Sequence, residues 1–191
     1  MTALRIVAHE HVPLFRVVRR GWDDPLDTTY SQRPSADNRW NTPDFPALYC
    51  CCSERVARAV ARDVFRLAGV EIEDLQDAML PQLVEIAWTG QLVDVASPEG
   101  VLAAGFPADY PVSVDKVRTR LAAKTWHDNG AAGVLGRSAS LMRLGQRRWD
   151  GSHEDWSETS IYVNNAPLRP LLLRRRTDLD WLMPTGTSSE S

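Results

Sequence analysis

Three polar residues that lie far apart along the chain, Arg39, Tyr49 and Ser138, could together bind a phosphate-containing ligand. Arg39 closes a polar segment and begins a turn, where its forked guanidinium can bind a phosphate through two parallel hydrogen bonds. Tyr49 stands in an apolar run and offers an aromatic face with a hydroxyl, and Ser138 follows another apolar run. Each residue alone is better explained by an ordinary structural role, as a surface salt bridge, a core aromatic side chain or a turn-forming serine.

The consecutive cysteines from Cys50 to Cys52 are a second group that could do chemistry. Successive residues of a strand point to opposite faces, so they cannot all bind one metal ion, and the sequence has no further cysteine. Cys52 precedes a helix and could act as a nucleophile, but a buried, inert thiol is the better interpretation. His9 and His11 would share one side of a strand, yet no third ligand is identifiable, and we predict no metal site.

Composition and motifs restrict the class of protein. The chain has 191 residues, 43% hydrophobic and 25% charged, which is typical of a globular domain with its own core. A net charge of −3 provides no basic field for nucleic acid, and no stretch approaches the roughly 20 apolar residues of a membrane span. The N-terminal stretch carries charges where a signal peptide would be apolar, so we expect a cytoplasmic protein. The sequence contains no Gly-x-Ser-x-Gly, His-Glu-x-x-His or Walker phosphate-loop motif.

The clearest periodic element is a helix in SERVARAVARDVFRLAG, with Ser53 as its N-cap and Gly69 as its C-terminal stop. Apolar side chains recur on one side of this helix and arginines on the other. Asp63 falls on the apolar side, and because an unpaired buried charge is costly, its carboxylate needs a partner. The apolar residues are Val56, Val60, Val64 and Leu67, and the arginines are Arg55, Arg58, Arg62 and Arg66.

Short strands and irregular segments make up most of the remaining chain. Residues 20–46 are rich in Gly, Asp, Pro, Ser and Asn and predict a long irregular segment, a kind of loop that is often functional. A second helix is predicted over residues 115–129. Strands are predicted in ALRIVA, PLFRVVRR, ALYCCC, QLVEIAW, QLVDVA, AAGVLG, SETSIYVNN and PLRPLLLRRR. We therefore predict an α+β fold, with one domain over residues 1–183 and a flexible tail over residues 184–191.

Four stretches of the sequence resemble the RES domain family, the toxins of RES–Xre toxin–antitoxin modules. LFRVVRRGWDDPL is similar to the family's opening, in which an aromatic–Arg pair precedes Pro-Leu. NRWNTPDFPALYCCCSERVARAVA resembles its central signature, which has Arg-aromatic-Asn, a Pro-containing turn, a Tyr and an Ala-rich helix. WHDNGAAGVLGRSAS and ETSIYVNN are similar to its later strands. The four stretches occur in the expected order over nearly the whole chain.

The resemblance implies a fold similar to ADP-ribosyltransferases, with a split, mixed sheet around a cleft for NAD⁺. It implies that NAD⁺ is a substrate, which is cleaved by water or phosphate or used to ADP-ribosylate a target protein. It also implies an Xre-type antitoxin as a partner. By matching positions, Arg39, Tyr49 and Ser138 take the family's active-site places, and Arg16, Arg39, Asn41 and Tyr49 take its NAD⁺-binding places.

One position departs from the family pattern. Where the family has a glutamate on the helix, eleven residues after the tyrosine, this chain has Val60. Asp63 lies about one turn further along the same side of the helix, and we expect it to replace the missing glutamate as a catalytic residue. Two alternatives stay open. Catalysis could be weakened or lost, which leaves a module that only binds a nucleotide or a protein, or the chain could be an enzyme that depends on Cys52.

Overall fold

The computed structural model describes residues 3–10, 13–34, 36, 38–146, 148–149, 152–166 and 171–182, and of residues 171–173 the backbone alone. Within this part of the chain, eight strands form one mixed sheet accompanied by four α-helices, which confirms the predicted α+β class. The predicted tail over residues 184–191 and the predicted strand residue His11 lie outside the described residues. None of the described helices has the length and apolar character needed to cross a membrane.

All eight segments predicted as strands contribute to the sheet. The strands are β1 (Ile6–His9), β2 (Leu14–Arg19), β3 (Ala47–Cys51), β4 (Pro81–Ala87), β5 (Gly90–Val95), β6 (Gly133–Arg137), β7 (Ser157–Tyr162) and β8 (Leu171–Arg176). The α-helices are α1 (Glu54–Ala68), α2 (Pro98–Ala103), α3 (Lys116–Asp128) and α4 (Ala139–Arg143). The strand order is β1-β5-β6-β7-β3-β2-β4-β8, in which β5 and β6 run parallel and the other neighbours antiparallel.

The sheet is nearly divided between β2 and β3. These two strands are joined at a single position, Phe15 opposite Cys51. By contrast, β2 pairs with β4 over six positions and β3 pairs with β7 over five. Continuing the same antiparallel register would place Val17 opposite Tyr49, but the strands separate there. The sheet therefore has the split form that the resemblance predicts, with an opening between two of its central strands.

Helix α1 begins and ends where the sequence predicts. Ser53 is the N-cap and accepts a hydrogen bond from the Val56 amide, and Gly69 ends the helix at a φ of 63°, a left-handed conformation that glycine adopts without strain. Val64 and Leu67, predicted on the apolar side, are 57% and 64% exposed. Alanine side chains make most of the buried contacts of this helix in their place. Val64 lines a groove that is open to solvent. The buried residues of α1 are Val56, Ala57, Ala59, Ala61 and Asp63.

Arginines on α1 hold a later segment of the chain against the helix. The Nε of Arg58 donates to the Trp181 carbonyl at 2.7 Å, and Nη2 of Arg62 donates to the Leu182 carbonyl at 2.9 Å. Trp181 is 1% exposed and belongs to the same hydrophobic cluster as α1. The arginine side of this helix is therefore partly covered, rather than wholly solvated.

A cluster of aromatic rings positions the segment that carries Arg39. Trp40, Phe106, Tyr110 and Trp126 are buried, and their neighbouring ring centroids lie 5.4 to 6.2 Å apart. Such offset and tilted ring pairs stabilise a core beyond the area that they bury. Because Trp40 is fixed in this cluster, the adjacent Arg39 is held just before α3, where it donates to the Val114 carbonyl. The irregular segment predicted over residues 20–46 is therefore anchored at this point.

Candidate active site at the split in the sheet

A cavity of about 230 Å³ lies between the separated strands β2 and β3. Its walls come from these two strands, from residues 28–31, from α1 and from β7. The lining side chains include Arg16 from β2, Tyr49 from β3, Val60 from α1 and Glu158 from β7. The cavity thus brings together two residues that the sequence predicted for the site, the position of the family's missing glutamate, and an acidic residue that the sequence analysis did not select.

Arg16 brings a positive charge with one unused donor into this cavity. Its Nη2 donates to the Asp27 carbonyl at 2.8 Å, and its guanidinium carbon lies 6.0 Å from the centre of the Trp22 ring. Its Nη1 is buried and has no hydrogen-bond partner among the described residues. Burial lowers the pKa of Arg16, while nearby Cys50 and Asp27 act in the opposite direction. Arginine remains charged in proteins even so, and the free donor favours an oxygen ligand.

Tyr49 offers its ring to the cavity, while its hydroxyl is already engaged. The hydroxyl accepts a hydrogen bond from the Trp40 amide at 2.9 Å and donates to Oδ1 of Asn41 at 2.9 Å. Burial raises the pKa of Tyr49, so the phenol stays neutral. The aromatic face is therefore the part of Tyr49 that a ligand can contact.

Asn41 is a predicted NAD⁺-binding residue that the structure places behind Tyr49. It is 2% exposed and is not among the residues that line the cavity. Its Nδ2 donates to the carbonyls of Ser31 at 2.7 Å, Thr42 at 3.0 Å and Phe45 at 3.2 Å. Asn41 thereby stabilises the turn over residues 41–45 and fixes the Tyr49 hydroxyl by accepting its hydrogen bond.

Arg39 lies next to the cavity rather than in its wall. Its side chain is half-buried, and Nη1 donates to the Val114 carbonyl at 3.3 Å. Its positive charge acts on Tyr110 and on Glu158, lowering the pKa that each would otherwise have. Arg39 is therefore close enough to the site to influence the charge of the acidic residue there.

Ser138 is fully buried and caps helix α4. Its Oγ accepts a hydrogen bond from the Leu141 amide at 3.2 Å, and its own amide donates to the Trp156 carbonyl at 2.9 Å. The sequence predicts a polar turn at this serine, and the structure shows instead the start of a short helix. The Ser138 hydroxyl also lies beside the Glu158 carboxyl and lowers its pKa.

Glu158 connects the predicted site residues to one another. It lies on β7 directly opposite Cys51, the residue at which β2 and β3 join. Its Oε1 is buried without a hydrogen-bond partner among the described residues. Burial raises the pKa of Glu158 above its ordinary value, against the opposing influence of Ser138, Arg39 and Arg143. A desolvated carboxyl of this kind in a cavity is typical of functional sites.

The sequence contained one weak sign of Glu158. Every other residue of β7 is small, apolar or aromatic and is buried in the structure. An acidic residue within such a strand needs a partner or a polar environment, as Asp63 does on α1. The sequence does not single out Glu158 within ETSIYVNN, because its neighbours are set by the pairing of β7 with β3 and β6.

Asp63, the predicted replacement for the missing glutamate, is paired away from the cavity. It is 1% exposed, with Oδ1 accepting from Arg66 at 2.8 Å and Oδ2 accepting from Arg143 at 2.6 Å. Burial tends to raise its pKa, but the hydrogen bonds from Arg143 and Arg66 outweigh burial, and the pKa of Asp63 is lowered. The expectation that this carboxylate needs a partner is confirmed, and it has two.

The three cysteines are buried free thiols. Burial raises the pKa of both Cys50 and Cys52 to about 12, and the Sγ of Cys52 lies 3.3 Å from Oγ1 of Thr159. A reactive cysteine needs an accessible thiolate, so these environments do not favour the cysteine-dependent enzyme. Among the described residues, no group of three or more His, Cys, Asp or Glu side chains is placed to hold a metal ion.

The sequence and the fold of this chain were compared with those of known proteins. A sequence model of the RES domain matches residues 13–152. The chain belongs to the RES domain family. A chain in the crystal structure of the M. tuberculosis MbcT–MbcA toxin–antitoxin complex has a similar fold, with a TM-score of 0.65 and 18% sequence identity over 85% of this chain and 81% of that chain. No curated protein sequence matches the chain.

The RES match covers the predicted site but stops before β7. It includes Arg16, Arg39, Tyr49 and Ser138, together with the departure at Val60. Glu158 lies beyond the matched residues. Glu158 is the first residue of ETSIYVNN, a stretch that resembles the family's later strand, but its place in the cavity follows only from the assembled sheet.

Proposed function

We propose that this RES domain protein is a toxin that consumes NAD⁺ by breaking the bond between nicotinamide and ribose. The observation that carries the proposal is the buried Nη1 of Arg16, which has no partner among the described residues, in a side chain that lines a cavity together with Tyr49. An unused guanidinium donor favours a phosphate oxygen, and an aromatic face favours a flat heterocycle. NAD⁺ carries both groups within one molecule.

The size of the cavity limits which part of NAD⁺ it can hold. A volume of about 230 Å³ is smaller than the ~300–1,000 Å³ of typical ligand sites. We therefore assign the nicotinamide–ribose end to the cavity, against Tyr49. Arg16 in the cavity wall and Arg39 beside the cavity supply positive charge that attracts the diphosphate. Asn41 supports the site by fixing the tyrosine hydroxyl, and Ser138 by contacting the acidic residue.

The reaction needs stabilisation of positive charge more than it needs an acid. Cleavage of the nicotinamide–ribose bond passes through a state that resembles an oxocarbenium ion, as in glycoside hydrolysis. Nicotinamide leaves as a neutral molecule, so no group has to protonate it. A carboxylate placed near the ribose would lower the barrier by attracting the developing charge.

Product analysis tests this function directly. We expect the purified protein to release free nicotinamide from NAD⁺. We also expect Arg39→Ala to lower kcat/KM by about 10- to 100-fold, because a hydrogen bond to a charged group contributes roughly 1.5–3 kcal/mol. The second product identifies the acceptor: ADP-ribose for water, a phosphorylated ADP-ribose for phosphate, or a modified protein. Reactions with and without phosphate separate the first two. NAD⁺ that stays intact in every reaction would contradict the proposal.

We further propose that the toxin acts in the cytoplasm and that an Xre-type antitoxin neutralises it. The support is membership of the RES family and the similar fold found in a toxin–antitoxin complex. Expression of the chain alone in bacteria should deplete cellular NAD⁺ and stop growth, and co-expression of its antitoxin should restore both. Arrest of growth with an unchanged NAD⁺ level would show that the toxicity has another cause.

The second candidate function is a RES-like module that binds a nucleotide or a protein without cleaving NAD⁺. The observation that favours it is Val60, which removes the carboxylate that the family places on the helix. The two candidates differ in one measurement, because the binding module releases no nicotinamide. NAD⁺ binding without turnover would therefore select the module.

A further inference from the structure

We propose that Glu158 is the catalytic carboxylate of this protein and that it acts from strand β7 in place of the glutamate missing from α1. The inference rests on the proposed NAD⁺ cleavage and names the residue that makes that reaction feasible despite Val60. Glu158 and Val60 line the same cavity, Glu158 from the sheet and Val60 from the helix. A carboxylate on β7 therefore reaches the same cavity as a glutamate at position 60 of α1 would reach.

The surroundings of Glu158 suit a carboxylate that acts on a positively charged reaction centre. Its Oε1 is buried and unpartnered among the described residues, so one oxygen has unused hydrogen-bonding capacity in a side chain that lines the cavity. The Ser138 hydroxyl lies beside the carboxyl and can fix its orientation. Because Glu158 is partly buried, the attraction between this carboxylate and a developing oxocarbenium ion is stronger than it would be at the surface.

Asp63 is not equivalent, although it lies only about one helical turn from position 60. Both of its oxygens accept hydrogen bonds from arginines, Oδ1 from Arg66 and Oδ2 from Arg143. It is absent from the residues that line the cavity, whereas Glu158 is present. We therefore assign Asp63 a positioning role: it holds Arg143, whose positive charge also acts on Glu158.

The reaction can be written with Glu158 in two steps. First, the bond between the ribose anomeric carbon and the nicotinamide nitrogen breaks, and its electron pair leaves with nicotinamide, which becomes neutral. The ribose carries the positive charge, opposite the Glu158 carboxylate. Then water forms a bond from its oxygen to the anomeric carbon and loses one proton, which Glu158 accepts and releases to solvent. The products are nicotinamide, ADP-ribose and one proton.

The principal test compares Glu158→Gln with the wild-type enzyme in a nicotinamide-release assay. Because glutamine keeps the shape but not the charge, we expect kcat to fall by about 100-fold or more while NAD⁺ binding changes little. The matched control is Glu154→Gln, an acidic residue four positions earlier that does not line the cavity, which should keep wild-type activity. Thermal melting shows that each variant is folded.

Moving the carboxylate back to the helix provides a second test. The double variant Glu158→Ala with Val60→Glu should recover at least about tenfold in kcat over Glu158→Ala alone, because position 60 faces the same cavity. A purely structural role for Glu158 would give no such rescue. Recovery also shows that the loss in the single variant came from a missing charge rather than from misfolding.

The pH profile provides a readout that is independent of the rate at a single pH. Activity should fall as the pH drops through the raised pKa of Glu158, and this acid limb should be absent in Glu158→Gln. The ionisable groups around Glu158 are Arg16, Tyr30, Arg39, Tyr49, Cys50, Cys51, Cys52, Asp63, Tyr110 and Arg143. Asp63 is the carboxyl among them, and its pKa is lowered, so it titrates below this limb.

Nicotinamide release by the wild-type enzyme and by Glu158→Gln tests the role of Glu158 separately from the proposed NAD⁺ cleavage. If the wild-type enzyme releases nicotinamide and Glu158→Gln does so at the same rate, the assignment of Glu158 is overturned while the proposed function stands. If the wild-type enzyme releases none, both are overturned. Loss of release in a folded Glu158→Gln, together with the rescue by Val60→Glu, supports the assignment.

Discussion

Replacing Arg16 with methionine is expected to lower kcat/KM for NAD⁺ by about 10- to 100-fold, mainly through a higher KM. The Nη1 of this guanidinium is buried and has no partner in the part of the chain that the structure describes, and we assign it to the NAD⁺ diphosphate. A hydrogen bond from a charged donor to phosphate contributes roughly 1.5–3 kcal/mol, and each 1.4 kcal/mol changes an equilibrium about tenfold. The measurement is steady-state nicotinamide release over a range of NAD⁺ concentrations.

The Arg16 variant should remain folded. Methionine fills a similar volume and removes a buried guanidinium nitrogen that has no partner among the described residues, at the loss of one hydrogen bond to the Asp27 carbonyl. Arg19→Met is the matched control, since Arg19 is exposed at the end of the same strand and is outside the cavity lining. Unchanged kinetics in Arg16→Met, with the control also unchanged, would remove Arg16 from the site. Arg16→Lys should recover only part of the loss, because lysine lacks the forked donors.

The fold could be predicted well where a segment carries its own signal. Helix α1 has an N-cap serine, a C-terminal glycine and a regular spacing of alanine and valine, and its bounds agree with the prediction. The short helices α2 and α4 were missed because a helix of five or six residues shows too little periodicity. Their N-caps, Ser97 and Ser138, were visible in the sequence. The sequence predicts a turn with a binding role at Ser138, and the structure adds that this serine caps α4.

The candidate site was predictable only in part, because it depends on strand pairing. The motifs led to Arg16 and Tyr49, and both line the cavity. Arg39 and Ser138 lie beside it and influence Glu158, so their predicted roles stay predictions. The acidic residue itself could not be derived, since β7 lies between β3 and β6 only after three distant segments assemble. Local spacing along α1 pointed to Asp63, and tertiary contacts with Arg143 engage that side chain instead.

Replacing Asp63 with alanine should therefore lower stability far more than activity. The carboxylate is 1% exposed and forms ion pairs with Arg66 and Arg143, whose side chains are 54% and 36% exposed. Breaking a buried pair costs about 3–5 kcal/mol, and the exposure of both arginines reduces this to about 1–3 kcal/mol. For a chain of this size the melting temperature should fall by about 2–4 °C per kcal/mol. Calorimetry measures the shift, and Asp128→Ala, which removes an exposed pair with Lys124, is the control.

The pH dependence of the same variant distinguishes the two carboxylates. The lowered pKa of Asp63 stabilises the fold above the ordinary value of 3.8 and ceases to do so as the pH falls below it, so the melting difference from wild type should shrink there. The negative charge of Asp63 raises the pKa of Glu158, so Asp63→Ala should move the acid limb of the rate profile to lower pH.

If folded Asp63→Ala instead lost about 100-fold in kcat while Glu158→Gln stayed active, the helix carboxylate would be the catalytic one. Its two arginines would then have to release it when NAD⁺ binds.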